Sequence, residues 1–95
     1  MLYAAIYREK DWPGGFEEIA WLTRLLKRYG YTVNIETKMF ALPYGAPYRV
    51  TIIRWEHTVS GTKRLEIGTY EDKQEATDMI RFLLNVEDGK RNERN

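Results

Sequence analysis

The sequence predicts an α+β domain of order β-α-β-β-β-α, a mostly antiparallel four-stranded sheet with two helices packed on one face. Three observations carry this. Two segments repeat apolar residues at the helical i, i+3/i+4 spacing, and four others alternate them at the strand period of two. The last three of those four follow one another with no helix between them, as in an antiparallel meander. At 95 residues the chain suits one hydrophobic core, since two would each fall near the ~40-residue floor for independent folding. Residues 1–86 are read as that single domain and residues 87–95 as a flexible polar tail.

Each element has its own signature. Leu2–Arg8 alternates Leu2, Ala4 and Ile6 with Tyr3, Ala5 and Tyr7, a strand apolar on both faces. Trp12-Pro13-Gly14-Gly15 breaks the chain, and is read as a structural turn with the tryptophan folded over the core. Phe16–Tyr29 is the clearest helix: Phe16, Ile19, Leu22, Leu26 and Tyr29 form its apolar stripe, widened by Trp21 and Leu25. Glu17 and Glu18 open this helix, Arg24, Lys27 and Arg28 close it in accord with its dipole, and Gly30 is the expected left-handed stop. The aromatic side chains of Phe16, Trp21 and Tyr29 are expected in the core.

Tyr31–Phe40 reads as the second strand, and Pro43, Gly45 and Pro47 mark the loop that follows. Tyr48–Thr58 is a long third strand, turned by Val59-Ser60-Gly61 into a fourth at about Lys63–Tyr70. Asp72 is placed to cap a final helix, Asp72–Val86, whose face is Ala76, Met79, Ile80 and Leu83. The place of the first strand stays open, because a helical crossover can deliver it to any free edge.

Composition narrows the chemistry. The chain has no cysteine, one histidine (His57) and one serine (Ser60), which removes disulfides, thiol catalysis, Cys-type zinc sites and most serine-hydrolase arrangements. His57 has no second histidine to share a metal, and is read as a solvent-facing strand residue. Glu71, Asp72, Glu75 and Asp78 gather at the start of the final helix, where capping and the helix dipole account for them. No catalytic residue, metal site or cofactor is therefore expected, and the protein is read as non-enzymatic. No stretch has the apolar length of a membrane helix and no signal peptide is visible, so a cytoplasmic location without membrane partners is expected.

The net charge of +1 conceals an asymmetry. Residues 38–64 carry Lys38, Arg49, Arg54, Lys63 and Arg64 against Glu56 alone, a local +4. If Val50 and Ile52 face the core, strand alternation turns Arg49, Thr51, Ile53, Trp55 and His57 to the open face. Asn34, Glu36 and Lys38 join them from the second strand, and Arg64 and Glu66 from the fourth. Lys38, Arg49, Trp55, Lys63 and Arg64 are accordingly candidates for nucleic-acid binding, the cations on phosphates and the indole stacking on a base. Tyr3, Tyr7, Ile53 and Trp55 are the alternative, an interface with a protein partner: a second copy in a homodimer, or a larger complex that this chain inhibits. A bulge in the third strand would instead return Ile53 and Trp55 to the core.

Pro47–Leu84 resembles two families. Pro47-Tyr48-Arg49-Val50-Thr51-Ile52, then Gly68-Thr69-Tyr70 leading into Lys73-Gln74-Glu75-Ala76, is similar to double-stranded-RNA-binding domains, and the helix Phe16–Tyr29 supplies their α-β-β-β-α order. Integrase arm-type DNA-binding domains, three-stranded sheets followed by a helix, resemble the same stretch. The resemblance implies nucleic-acid binding. In the RNA-binding family a Lys-Lys-x-Ala-Lys run grips phosphate, whereas Asp72-Lys73-Gln74-Glu75-Ala76-Thr77 stands here and residues 71–86 sum to −2. The DNA-binding family reads the groove with the sheet, which is where this chain keeps its positive charge.

Overall fold

The computed structural model describes residues 3–7, 12, 14–38 and 48–93, with the side chains of residues 3–7, 37, 38, 92 and 93 left aside. Its class is α+β, two helices on an antiparallel sheet. The elements are β1 (Tyr3–Tyr7), α1 (Glu17–Leu26), β2 (Tyr31–Lys38), β3 (Tyr48–Thr58), β4 (Gly61–Tyr70) and α2 (Lys73–Glu93). β2, β3 and β4 form a continuous antiparallel meander, with Val33 opposite Ile52 and Trp55 opposite Arg64. The backbone of β1 lies antiparallel to β2, Tyr3 opposite Lys38 and Tyr7 opposite Ile35.

The strand period and the helical period meet on one side of the sheet. Tyr31, Val33 and Ile35 of β2 and Val50 and Ile52 of β3 point to the helices, and Ile19, Leu22 and Leu26 of α1 with Ala76, Ile80 and Leu83 of α2 close over them. Each fully buried branched side chain in such a layer contributes ~1.5–3 kcal/mol relative to exposure. Trp12 packs against this core, as the turn reading requires. Phe16 is buried, and its ring meets that of Tyr48 edge-on at 5.5 Å.

Both helices begin with local contacts, and α1 ends for a local reason. Glu17 Oε1 accepts the Gly15 N–H at 3.1 Å, and Asp72 Oδ1 accepts the Gln74 N–H at 2.9 Å as the N-cap of α2. A 3-10 turn, Lys27–Tyr29, extends α1 to Gly30, whose φ of 89° ends the helix in the left-handed region. The two N-terminal ends are tied together: Lys73 Nζ donates to the Gly15 carbonyl at 2.8 Å and lies 5.5 Å from the Phe16 ring centre, and Arg81 meets Glu18 at 2.8 Å.

Two expectations are corrected. The last helix does not stop at Val86 but continues to Glu93, so most of the segment read as a polar tail is helical. Glu87 is buried there, because its carboxylate reaches the Tyr31 hydroxyl beneath the helix. Trp21, expected in the core, is 59% exposed. It lies on the flank of α1 that neither α2 nor the sheet covers, because the stripe Ile19–Leu22–Leu26 already fills the contact.

Candidate functional site

Strand parity sorts the meander side chains into two faces, and hydrogen bonds confirm the sorting. Opposite the helices, Thr51 Oγ1 lies 3.3 Å from Thr69 Oγ1, Arg49 meets Glu36 at 3.1 Å, and the Trp55 indole N–H donates to Thr32 Oγ1 at 2.8 Å. His57 Nδ1 sits 3.2 Å from Thr62 Oγ1 on the same side, at the exposed end of the hairpin. On the helix side, Arg54 lies over the Tyr31 ring at 5.7 Å and its Nε is 3.9 Å from Glu56 Oε1.

The face away from the helices is thus built of Thr32, Asn34 and Glu36 from β2, of Arg49, Thr51, Ile53, Trp55 and His57 from β3, and of Thr62, Arg64, Glu66 and Thr69 from β4; it is covered at Thr51, which is 4% exposed, and exposed at His57 and along β4. Between Ile52 and Ile53 the β3–β4 register slips: Ile52 faces Gly68 but Ile53 faces Glu66. The extra residue is therefore Ile67 on β4, a β-bulge that leaves the alternation of β3 intact. Ile53 and Trp55 accordingly stay on the side away from the helices. Even so, Ile53 is only 1% exposed and stands outside the main core cluster, and Trp55 is half-buried.

The five candidate nucleic-acid contacts do not converge. Trp55 and Arg64 are cross-strand partners on the open face. Arg49 is six positions from Trp55 along β3, about 20 Å at the usual strand rise, and its charge is matched by Glu36. Lys63 precedes Arg64 in a regular strand and so points to the opposite face, across from Glu56. Lys38 ends β2, and its side chain lies outside the described residues. Among the described residues the open face carries two cations, Arg49 and Arg64, and two carboxylates, Glu36 and Glu66. The local +4 of the sequence is divided between two faces, because neighbouring basic residues in a strand point apart.

Of the candidate interface residues, Ile53 and Trp55 share the open face, while the side chains of Tyr3 and Tyr7 lie outside the described residues. In the acidic cluster at the start of α2, Asp72 caps the helix and Asp78 Oδ1 accepts from Gln74 Nε2 at 2.9 Å. Lys73, the one base in the segment that resembles the RNA-binding lysine run, is held against the Gly15 carbonyl. Among the described residues no three His, Asp or Glu side chains gather as a metal ion would need, and no helix is long and apolar enough to cross a membrane. Compared with known proteins, the chain matches no family model, no curated protein and no solved structure.

Sequence reasoning missed the Tyr31–Glu87 contact, and it weighed a buried Ile53 only as an alternative to an exposed one. The first was visible only as a polar residue one turn beyond the apolar stripe of the last helix. The second had no signal beyond the run Val50–Ile53, apolar or threonine at every position.

Proposed function

We propose that this protein is a non-enzymatic protein-interaction module whose contact surface is the sheet face away from the helices, centred on Trp55 and Arg64. The observation that carries the reading is the charge balance of that face: Arg49 is ion-paired with Glu36, and the exposed Arg64 is equalled in number by the exposed Glu66, around a buried Ile53 and a half-buried Trp55. A phosphate-binding surface gains its affinity from excess cations that displace counterions. A protein contact favours an aromatic and an arginine anchor within a mixed, nearly neutral rim. Nucleic-acid binding would need Lys38, Arg49, Trp55, Lys63 and Arg64 to act together, and the opposite facing of Lys63 and the Arg49–Glu36 pair argue against it.

The test has two arms. Wild-type, Trp55→Ala and Arg64→Ala chains serve as bait, with retained proteins identified by mass spectrometry. A protein held by the wild type and lost by both variants supports the reading. Mixed-sequence single- and double-stranded oligonucleotides are titrated across ionic strength. Saturable binding whose affinity falls steeply with salt overturns the reading in favour of nucleic acid.

A further inference from the structure

We infer that β4 pairs edge to edge with the β4 of a second copy of this chain, antiparallel and in register about Leu65. The inference goes beyond the reading above: it concerns the outer edge of β4 and not the face around Trp55. β4 ends the sheet: among the described residues no strand pairs with its outer side, and its ten residues run from the hairpin turn to Tyr70. A strand edge of this length presents a row of backbone donors and acceptors to solvent.

Which residues present them follows from the turn. The two-residue loop Val59-Ser60 closes on the pair Thr58–Gly61, and such a hairpin closes on a hydrogen-bonded pair. Antiparallel pairs then alternate, so Lys63 and Leu65 bond inward to β3, while Thr62, Arg64 and Glu66 turn their N–H and C=O groups outward. Two copies meeting about a two-fold axis at Leu65 place Arg64 of one opposite Glu66 of the other, twice. Both residues have outward backbone groups, so each pair exchanges two backbone hydrogen bonds. Both side chains are exposed on the open face, so each pair is also an ion pair directly across the new ladder.

This sequence is self-complementary in that register. Shifting it by two residues in the pair sum, so that Arg64 faces itself or Glu66 faces itself, puts like charges opposite each other. The bulge at Ile67 kinks the strand just beyond Glu66, which keeps the ladder short. A two-fold contact of this kind closes on itself and does not propagate into fibres.

The experiment is sedimentation of the full chain over a concentration series, with amide exchange read at single residues. The wild type is expected to dimerise, and the Arg64 and Glu66 amides to become protected as it does. Arg64→Glu and Glu66→Arg each convert both ion pairs to like-charge pairs, and should raise the dimer dissociation constant about thirty-fold. Mixing the two variants restores opposite charges at both positions, so a heterodimer near wild-type affinity is expected. Both variants change exposed edge residues, and circular dichroism checks that each is folded. A wild type monomeric at all accessible concentrations overturns the second-copy proposal, as does a dimer indifferent to both charge reversals. Neither result touches the interaction-face reading, which fails separately if oligonucleotides bind or if Trp55→Ala loses no partner.

Discussion

The Tyr31 hydroxyl donates a 2.8 Å hydrogen bond to Glu87 Oε2 and so ties the start of β2 to α2 across 56 residues of chain. Both side chains are buried, and Lys90 Nζ stands 4.0 Å from the other Glu87 oxygen. Removing the acceptor leaves a buried hydroxyl unsatisfied. Glu87→Ala should therefore cost about 1–3 kcal/mol, while Glu87→Gln, whose amide oxygen still accepts, should stay within about 1 kcal/mol of wild type. Urea denaturation measures both. Equal losses would mean that the contact contributes through charge, not through the hydrogen bond.

The same contact sets an alkaline limb. Burial first, and then the hydrogen bond to Glu87, raise the Tyr31 phenol above its ordinary value of 10.0. A group whose folded pKa is raised stabilises the fold fully below its unfolded pKa, and that contribution disappears as pH climbs through the folded value. Stability should hold to about pH 10 and then fall. Tyr31→Phe should flatten the part of that fall that belongs to this residue. Tyr29, which donates to Asp88 and is raised chiefly by that bond, adds a contribution of the same sign that the variant retains.

Ile53 provides a test on the other side of the sheet. At 1% exposure it is as enclosed as Ile52, yet it points away from both helices. Ile53→Ala should cost about 2–5 kcal/mol, the range of a true core position, and Ile52→Ala should cost a similar amount. A loss under about 1 kcal/mol at Ile53 would show a site that solvent fills readily on truncation.

How far these features were legible in the sequence depends on what each residue had to signal. The stripe Ile19–Leu22–Leu26, the alternation of Val33, Ile35, Val50 and Ile52 and the Gly30 stop are local patterns, and each element they predict is present. Trp21 misled because an apolar residue beside a stripe widens it on paper, whereas two helices and a sheet leave room for only one line of contact. The helix ran past Val86 because Glu87, polar by type, has a partner 56 residues away that no local period can reveal. The basic meander was legible as composition and not as a surface. Only the register shows that Lys63 and Arg64 part to opposite faces and that Arg49 is matched by Glu36. The bulge fell on Ile67 of β4, a choice that the sequence of β3 could not make.

Thr23 marks a place where the fold can be improved. Its residue is 1% exposed, and its Oγ1 has no hydrogen-bond partner among the described residues. Valine has nearly the same shape and removes the stranded hydroxyl. Thr23→Val should raise stability by about 1 kcal/mol, read as a higher denaturation midpoint with an unchanged slope. A drop would mean that the hydroxyl is satisfied in solution.

Two glycines should respond in opposite directions to the same substitution. Gly30 has φ 89°, its carbonyl accepts the Trp55 N–H at 2.8 Å, and a Cβ there would lie 3.2 Å from the Trp55 carbonyl oxygen. Gly30→Ala adds left-handed backbone strain of about 1–2 kcal/mol to a contact that the backbone of β3 would have to yield. It should also loosen the strand beside Trp55, seen as faster exchange of the Trp55 amide. Gly89 lies within α2 with nothing inside 4 Å of its would-be Cβ. Gly89→Ala should therefore stabilise by up to about 1 kcal/mol, the helix-propensity difference. A neutral or destabilising Gly89→Ala would place the end of the helix before residue 89, and with it weaken the case for the Tyr29–Asp88 contact one residue earlier.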